Sequence, residues 1–82
     1  MNLTIKLFAT LKDKAQASHL ALEIKQQQPT VKDLLAEIIC QKPLLGSSMK
    51  TVLVAVNKEF AFPEQTLNSN DEIALFPPVS GG

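Results

Sequence analysis

Across Asn2 to Phe8 the residues Leu3, Ile5 and Leu7 alternate with Thr4, Lys6 and Phe8, the period-two pattern of a strand with one face in a core. The alternation returns from His19 to Lys25 through Leu20, Leu22 and Ile24. The connection Ala9 to Ser18 is longer than a hairpin loop, and a short helical turn is expected in it. Past the polar stretch Gln26 to Pro29, Thr30 and Asp33 have the spacing of a capping box, with Asp a shorter partner than the usual Glu or Gln. Val31, Leu34, Leu35, Ile38 and Ile39 then recur at helical spacing and predict the main helix. Pro43 bars its continuation and Gly46 begins a loop. Thr51 to Val56 is apolar and β-branched on both faces, as in a strand inside a sheet. Asn57-Lys58 leads into a shorter strand, Glu59 to Phe62, through a turn where Asn tolerates the left-handed conformation. Pro63 ends that strand. Asn68-Ser69-Asn70-Asp71 is a turn cluster, and Glu72 to Phe76 is the last strand.

The order is therefore β, β, α, β, β, β. A right-handed crossover through the helix cannot be a hairpin, so the sheet is expected to be mixed and five-stranded, its first and last strands adjacent and the helix across one face. This is an α+β arrangement of the ubiquitin-like β-grasp type. Phe8 and Phe76 have the opposite parity to Leu3-Ile5-Leu7 and Ile73-Leu75. On adjacent strands their rings share the sheet face away from the helix, an apolar patch that reads as a docking surface. Phe60 and Phe62 are expected to pack within the strands.

Composition narrows the function classes. In 82 residues, 45% hydrophobic and 20% charged, there is room for one ordinary globular domain. No run is long enough to cross a bilayer and Met1 does not lead into a signal pattern, so a cytoplasmic location is expected, with no membrane partner. One cysteine makes no internal disulfide. Eight basic and eight acidic residues balance, without a basic block to neutralise phosphates, and nucleic acid is not expected as a partner. Catalytic constellations are missing too: His19 is the lone histidine, and there is no CxxC, no HxxxH and no carboxylate cluster at ligand spacing. Cys40 lies off the apolar stripe, in the last helical turn, where the negative end of the helix dipole disfavours a thiolate. It reads as a passive thiol.

The remaining chemical candidate is the terminus. Residues 1–76 read as the domain and 77–82 as an extended tail. Pro77-Pro78 favours an extended path, and Pro77 to Gly82 would reach roughly 18 Å at about 3 Å per residue. Gly81 and Gly82 lack side chains, so backbone can pass where others would clash. The Gly82 carboxylate, anionic at neutral pH, could attack a phosphoryl group of ATP held by another protein, then take up sulfur or be joined to an amine.

Residue by residue, the chain resembles the ubiquitin-like sulfur carriers, most closely the small subunit of molybdopterin synthase. The resemblance is carried by Val54-Ala55-Val56-Asn57, by Asn70-Asp71-Glu72-Ile73-Ala74 and by the closing Leu75-Phe76-Pro77-Pro78-Val79-Ser80-Gly81-Gly82. Leu7-Phe8-Ala9-Thr10-Leu11-Lys12-Asp13 looks like that family's opening strand and loop, with Lys12 where arginine is usual, and Asn70 stands where glycine is common. The resemblance implies a carrier that binds no cofactor itself. Its Gly82 would be adenylylated by an E1-like adenylyltransferase using ATP, converted to a thiocarboxylate by a sulfurtransferase system, and inserted into the large synthase subunit. Sulfur would pass there to cyclic pyranopterin monophosphate, in an assembly of two small and two large subunits. Phe8 and Phe76 would lie in the docking face, with Pro77, Pro78, Val79, Ser80, Gly81 and Gly82 threading the active site. Other readings are a thiamine-pathway carrier, a ubiquitin-like protein modifier and a plain interaction module.

Overall fold

The computed structural model describes residues 1–78. Five strands form one sheet in the order β2-β1-β5-β3-β4, with β1 at Asn2–Leu7, β2 at His19–Glu23, β3 at Leu53–Val56, β4 at Glu59–Phe60 and β5 at Ile73–Phe76. β1 and β5 are parallel neighbours, and the other pairs are antiparallel. The sheet is mixed and its first and last strands adjacent, as the element order requires.

Strand parity sorts the side chains. Leu3, Ile5 and Leu7 of β1, Leu20 and Leu22 of β2, Val54 and Val56 of β3, and Ile73 and Leu75 of β5 are all buried on the inner face. Helix α2, Val31–Gln41, adds Val31, Leu34 and Ile38 to the same core. At its start the Thr30 hydroxyl accepts the Asp33 N–H at 3.2 Å while the Asp33 carboxylate accepts the Thr30 N–H at 2.9 Å. The box satisfies two backbone donors with a short Asp partner. Two further N–H groups of this first turn, Val31 and Lys32, donate to the carbonyls of Gln65 and Pro63 at 2.9 Å. The loop before β5 therefore closes the helix end, and buries Leu67 in doing so.

The connection after β1 is a helix, α1, Ala9–Ala15, which buries Leu11. Pro43 does stop α2, but the chain then makes two short 3₁₀ turns, Pro43–Leu45 and Ser48–Lys50. They seat Leu45 and Met49 in the core, so the segment is packed structure as well as connection. Ile39 departs from the helical stripe and is 42% exposed. Only the narrower set Val31, Leu34 and Ile38 is buried. Asn57 and Lys58 both have positive φ, 55° and 72°, the pair of left-handed residues that a two-residue hairpin turn demands. β4 ends at Phe60, two residues sooner than its apolar pattern suggests. Among the described residues no helix is long and apolar enough to cross a membrane.

Candidate functional site

The outer sheet face carries the site. Phe8 follows β1 directly, and its N–H donates to the Leu75 carbonyl at 3.2 Å, extending the parallel β1–β5 ladder by one residue. Phe76 is thereby its same-face neighbour, and the rings stack with centroids 4.6 Å apart and planes inclined by 10°. That separation is close to the strand spacing itself, about 4.8 Å, so the stack is a direct consequence of ladder and parity. Ala9, at φ 52°, then turns the chain into α1.

Beside the stack the outer face is low. Cross-strand partners Ala55 and Ala74 form its floor, with Lys6 beyond Ala74 on β1 and Phe60 beyond Ala55 on β4. The hollow so made, about 300 Å³, is lined by these residues with Phe8, Phe76, Lys58 and Glu72. Its rim carries an ion pair, Lys6 to Glu72 at 3.7 Å, with both side chains nearly half exposed. At that exposure the pair contributes about 0 to 1 kcal/mol to folding. Aromatic walls, a small-residue floor and rim charges suit an apolar side chain of a protein partner flanked by polar groups.

Phe60 is the residue that sequence reasoning placed wrongly. It is 72% exposed, and Phe62 is 75% exposed, so neither is packed within the strands. For Phe60 the cause is parity: across the Asn57-Lys58 turn Ala55 faces Phe60, and Ala55 belongs to the outer row. Counting back from the turn would have found it. Phe62 lies beyond the end of β4.

Among the described residues the other candidates lack partners for chemistry. His19 is exposed, its Nδ1 2.9 Å from the Ser18 hydroxyl. Cys40 is exposed near the end of α2. Among the described residues no three His, Cys, Asp or Glu side chains cluster as metal ligands would. Asp33 has a lowered pKa, chiefly because the Thr30 backbone N–H bonds its carboxylate, and this belongs to the helix cap. Pro77 is half-buried and Pro78 exposed, leaving β5 directly beside Phe76. Val79, Ser80, Gly81 and Gly82 lie outside the described residues.

A mixed sheet with central parallel first and last strands, grasping one long helix, defines the ubiquitin-like β-grasp class. A family model described as the ThiS family matches residues 5–82, and the chain belongs to that family. It is 37% identical over 84 aligned residues to the molybdopterin synthase sulfur carrier subunit of Chlamydomonas reinhardtii, covering 100% of each. It superposes on SAMP1 from Haloferax volcanii with a TM-score of 0.87 at 31% identity, covering 100% of both chains. It shares the fold of a chain in the complex of subunits 1 and 2 of molybdopterin-converting factor from Helicobacter pylori, with TM-score 0.69, 24% identity and 100% of both chains covered.

Proposed function

We propose that the chain is the sulfur-carrier subunit of a molybdopterin synthase, bound to the large synthase subunit through the Phe8–Phe76–Phe60 face. The supporting observation is one of position. An exposed aromatic face lies at the root of the segment that begins with Pro77 and Pro78, in a chain whose curated relative is a molybdopterin synthase sulfur carrier subunit. On this reading an E1-like adenylyltransferase binds ATP, and a Gly82 carboxylate oxygen attacks the α-phosphorus with loss of pyrophosphate. Sulfide (HS⁻) released by a sulfurtransferase system then attacks the Gly82 acyl carbon and displaces AMP with its bonding electron pair, leaving the thiocarboxylate and a proton. Catalytic groups come from the partners: the carrier binds no cofactor and supplies an address and a reactive end.

Mass spectrometry of the chain incubated with its activating enzyme, ATP and a sulfur donor tests this. The expected product has one oxygen of Gly82 replaced by sulfur and converts cyclic pyranopterin monophosphate when mixed with the large subunit. A terminus that stays a carboxylate under conditions that charge the Chlamydomonas relative would refute it. The likeness to SAMP1 favours a second reading, a protein modifier joined through Gly82 to lysine amines. Isopeptide-linked conjugates in cells, absent when Gly82 is deleted, distinguish that use.

A further inference from the structure

The two edges of the sheet are unequal. β4 is a two-residue edge, too short to template much pairing, whereas β2 presents five residues in regular alternation with its outer side unpaired among the described residues. The hydrogen bonds fix which backbone groups face outward. Met1 and Ile24 exchange bonds of 2.8 Å in both directions, and the Leu7 N–H donates to the Ser18 carbonyl at 2.8 Å. In an antiparallel ladder bonded and non-bonded pairs alternate. With Leu3 opposite Leu22 and Ile5 opposite Leu20, the backbones of Leu20, Leu22 and Ile24 point to β1, and those of His19, Ala21 and Glu23 point away from the sheet.

We propose that this edge pairs antiparallel with the β2 edge of a second copy, on a twofold axis at Ala21. In that register all three outward-pointing residues fall at hydrogen-bonded positions: Ala21 meets Ala21, and His19 meets Glu23 at both ends. The side chains agree with the backbone. His19, Ala21 and Glu23 share the outer face and are exposed, Ala21 is small enough for close approach at the axis, and each terminal pair sets an imidazole against a carboxylate. Its Nδ1 lies beside the Ser18 hydroxyl, so Nε2 is the His19 ring nitrogen left to face the opposing Glu23, and it donates there in the tautomer in which the Ser18 hydroxyl donates to Nδ1. A formal net charge of zero leaves little repulsion between copies.

Pairing would make one continuous sheet with both Phe8–Phe76 faces on the same side. The two β5 strands would be five strand spacings apart, about 24 Å. Three bonded positions form a contact well below the roughly 1,200 Å² of a stable interface, so the association is weak, with a dissociation constant of about 0.1 to 1 mM.

Two experiments on the full chain test the register. A cysteine at Ala21, in a Cys40→Ser background, sits about 5.5 Å from its symmetry mate, Cα to Cα, within disulfide range. Ala21→Cys should form a linked dimer at least tenfold faster than Ala36→Cys on the exposed side of α2. Equal rates overturn the proposal. Sedimentation equilibrium to about 1 mM should show a monomer–dimer equilibrium. Ala21→Pro should weaken it at least tenfold with little change in melting temperature, because the Ala21 N–H makes no bond to β1. His19→Glu should also weaken it, and His19→Glu with Glu23→Lys should restore it. A chain monomeric throughout that range, or a dimer indifferent to Ala21→Pro, overturns the proposal; loss of such a dimer in Phe76→Ala would assign self-association to the aromatic face.

Discussion

Phe60→Ala separates docking from folding, because the ring contributes little to its own domain. It is 72% exposed, so roughly a quarter of its surface is shielded by its neighbours. Full burial of a Phe side chain is worth about 1.5 to 3 kcal/mol, which leaves about 0.5 to 1 kcal/mol at this site. For a domain of this size that lowers the melting temperature by about 2 to 8 °C, leaving the variant folded at 25 °C. As an anchor in a desolvated interface the same ring is worth about 2 kcal/mol or more, roughly a 30-fold rise in the dissociation constant of the large synthase subunit. Calorimetric titration of that subunit, paired with a thermal melt of each variant, measures both quantities. A dissociation constant within threefold of the parent value would refute the assignment of Phe60 to the docking face. A melting temperature lowered by about 15 °C or more would show that the ring belongs to the core.

Ile38 is fully buried between α2 and the sheet, so Ile38→Ala should cost about 2 to 5 kcal/mol, measured by urea denaturation, and impair sulfur transfer only through loss of folded domain. Lys58 sits at φ 72° in the hairpin turn, where left-handed backbone costs a side-chain-bearing residue about 1 to 2 kcal/mol and glycine's unfolded-state entropy returns about half; Lys58→Gly should raise the melting temperature by a few degrees, and a fall would contradict the turn assignment. Asp33 has its carboxyl pKa held below 3.8, first by the Thr30 backbone N–H. Its folded value being the lower one, the cap's contribution is complete above about pH 4 and lost as pH falls through the folded pKa, and Asp33→Asn should flatten that acid limb of urea midpoint against pH.

How much of this architecture was legible in sequence depends on where period meets packing. The parity of β1, β2 and β5 is local, and it gave the inner face and the Phe8–Phe76 pair because the crossover rule made first and last strands neighbours. Thr30 with Asp33 and the Asn57-Lys58 turn were equally local, each a hydrogen-bonding or backbone requirement that few residue types meet. Leu45, Met49 and Leu67 were not legible as core. They are buried by 3₁₀ turns and a loop, where no repeat marks the inward side and only tertiary contact decides. Ile39 fails in the opposite sense: its spacing fits the stripe, but the surface α2 meets is narrower than the stripe. The end of β4 was misjudged because an apolar run continues through Ala61 and Phe62 after the ladder has stopped.

That division has a consequence for how such a domain can change. The strands that build the core with one parity build the outer face, proposed above for docking, with the other: Leu75 is fully buried while Phe76, the next residue, stacks outside on Phe8. On that proposal, substitutions on the outer row at Lys6, Ala74 and Phe60 should alter partner contact at small cost in stability, provided the floor stays low; Ala55, on the same row, is itself buried. Ala55 and Ala74 keep it low, and at the more exposed Ala74 a larger side chain would fill the hollow from below on the face opposite the core. Ala74→Leu should accordingly leave the melting temperature within a few degrees of the parent and abolish docking of the large subunit. If the variant docks normally, the hollow is not where the partner's side chain enters, and the stacked rings alone would have to carry recognition.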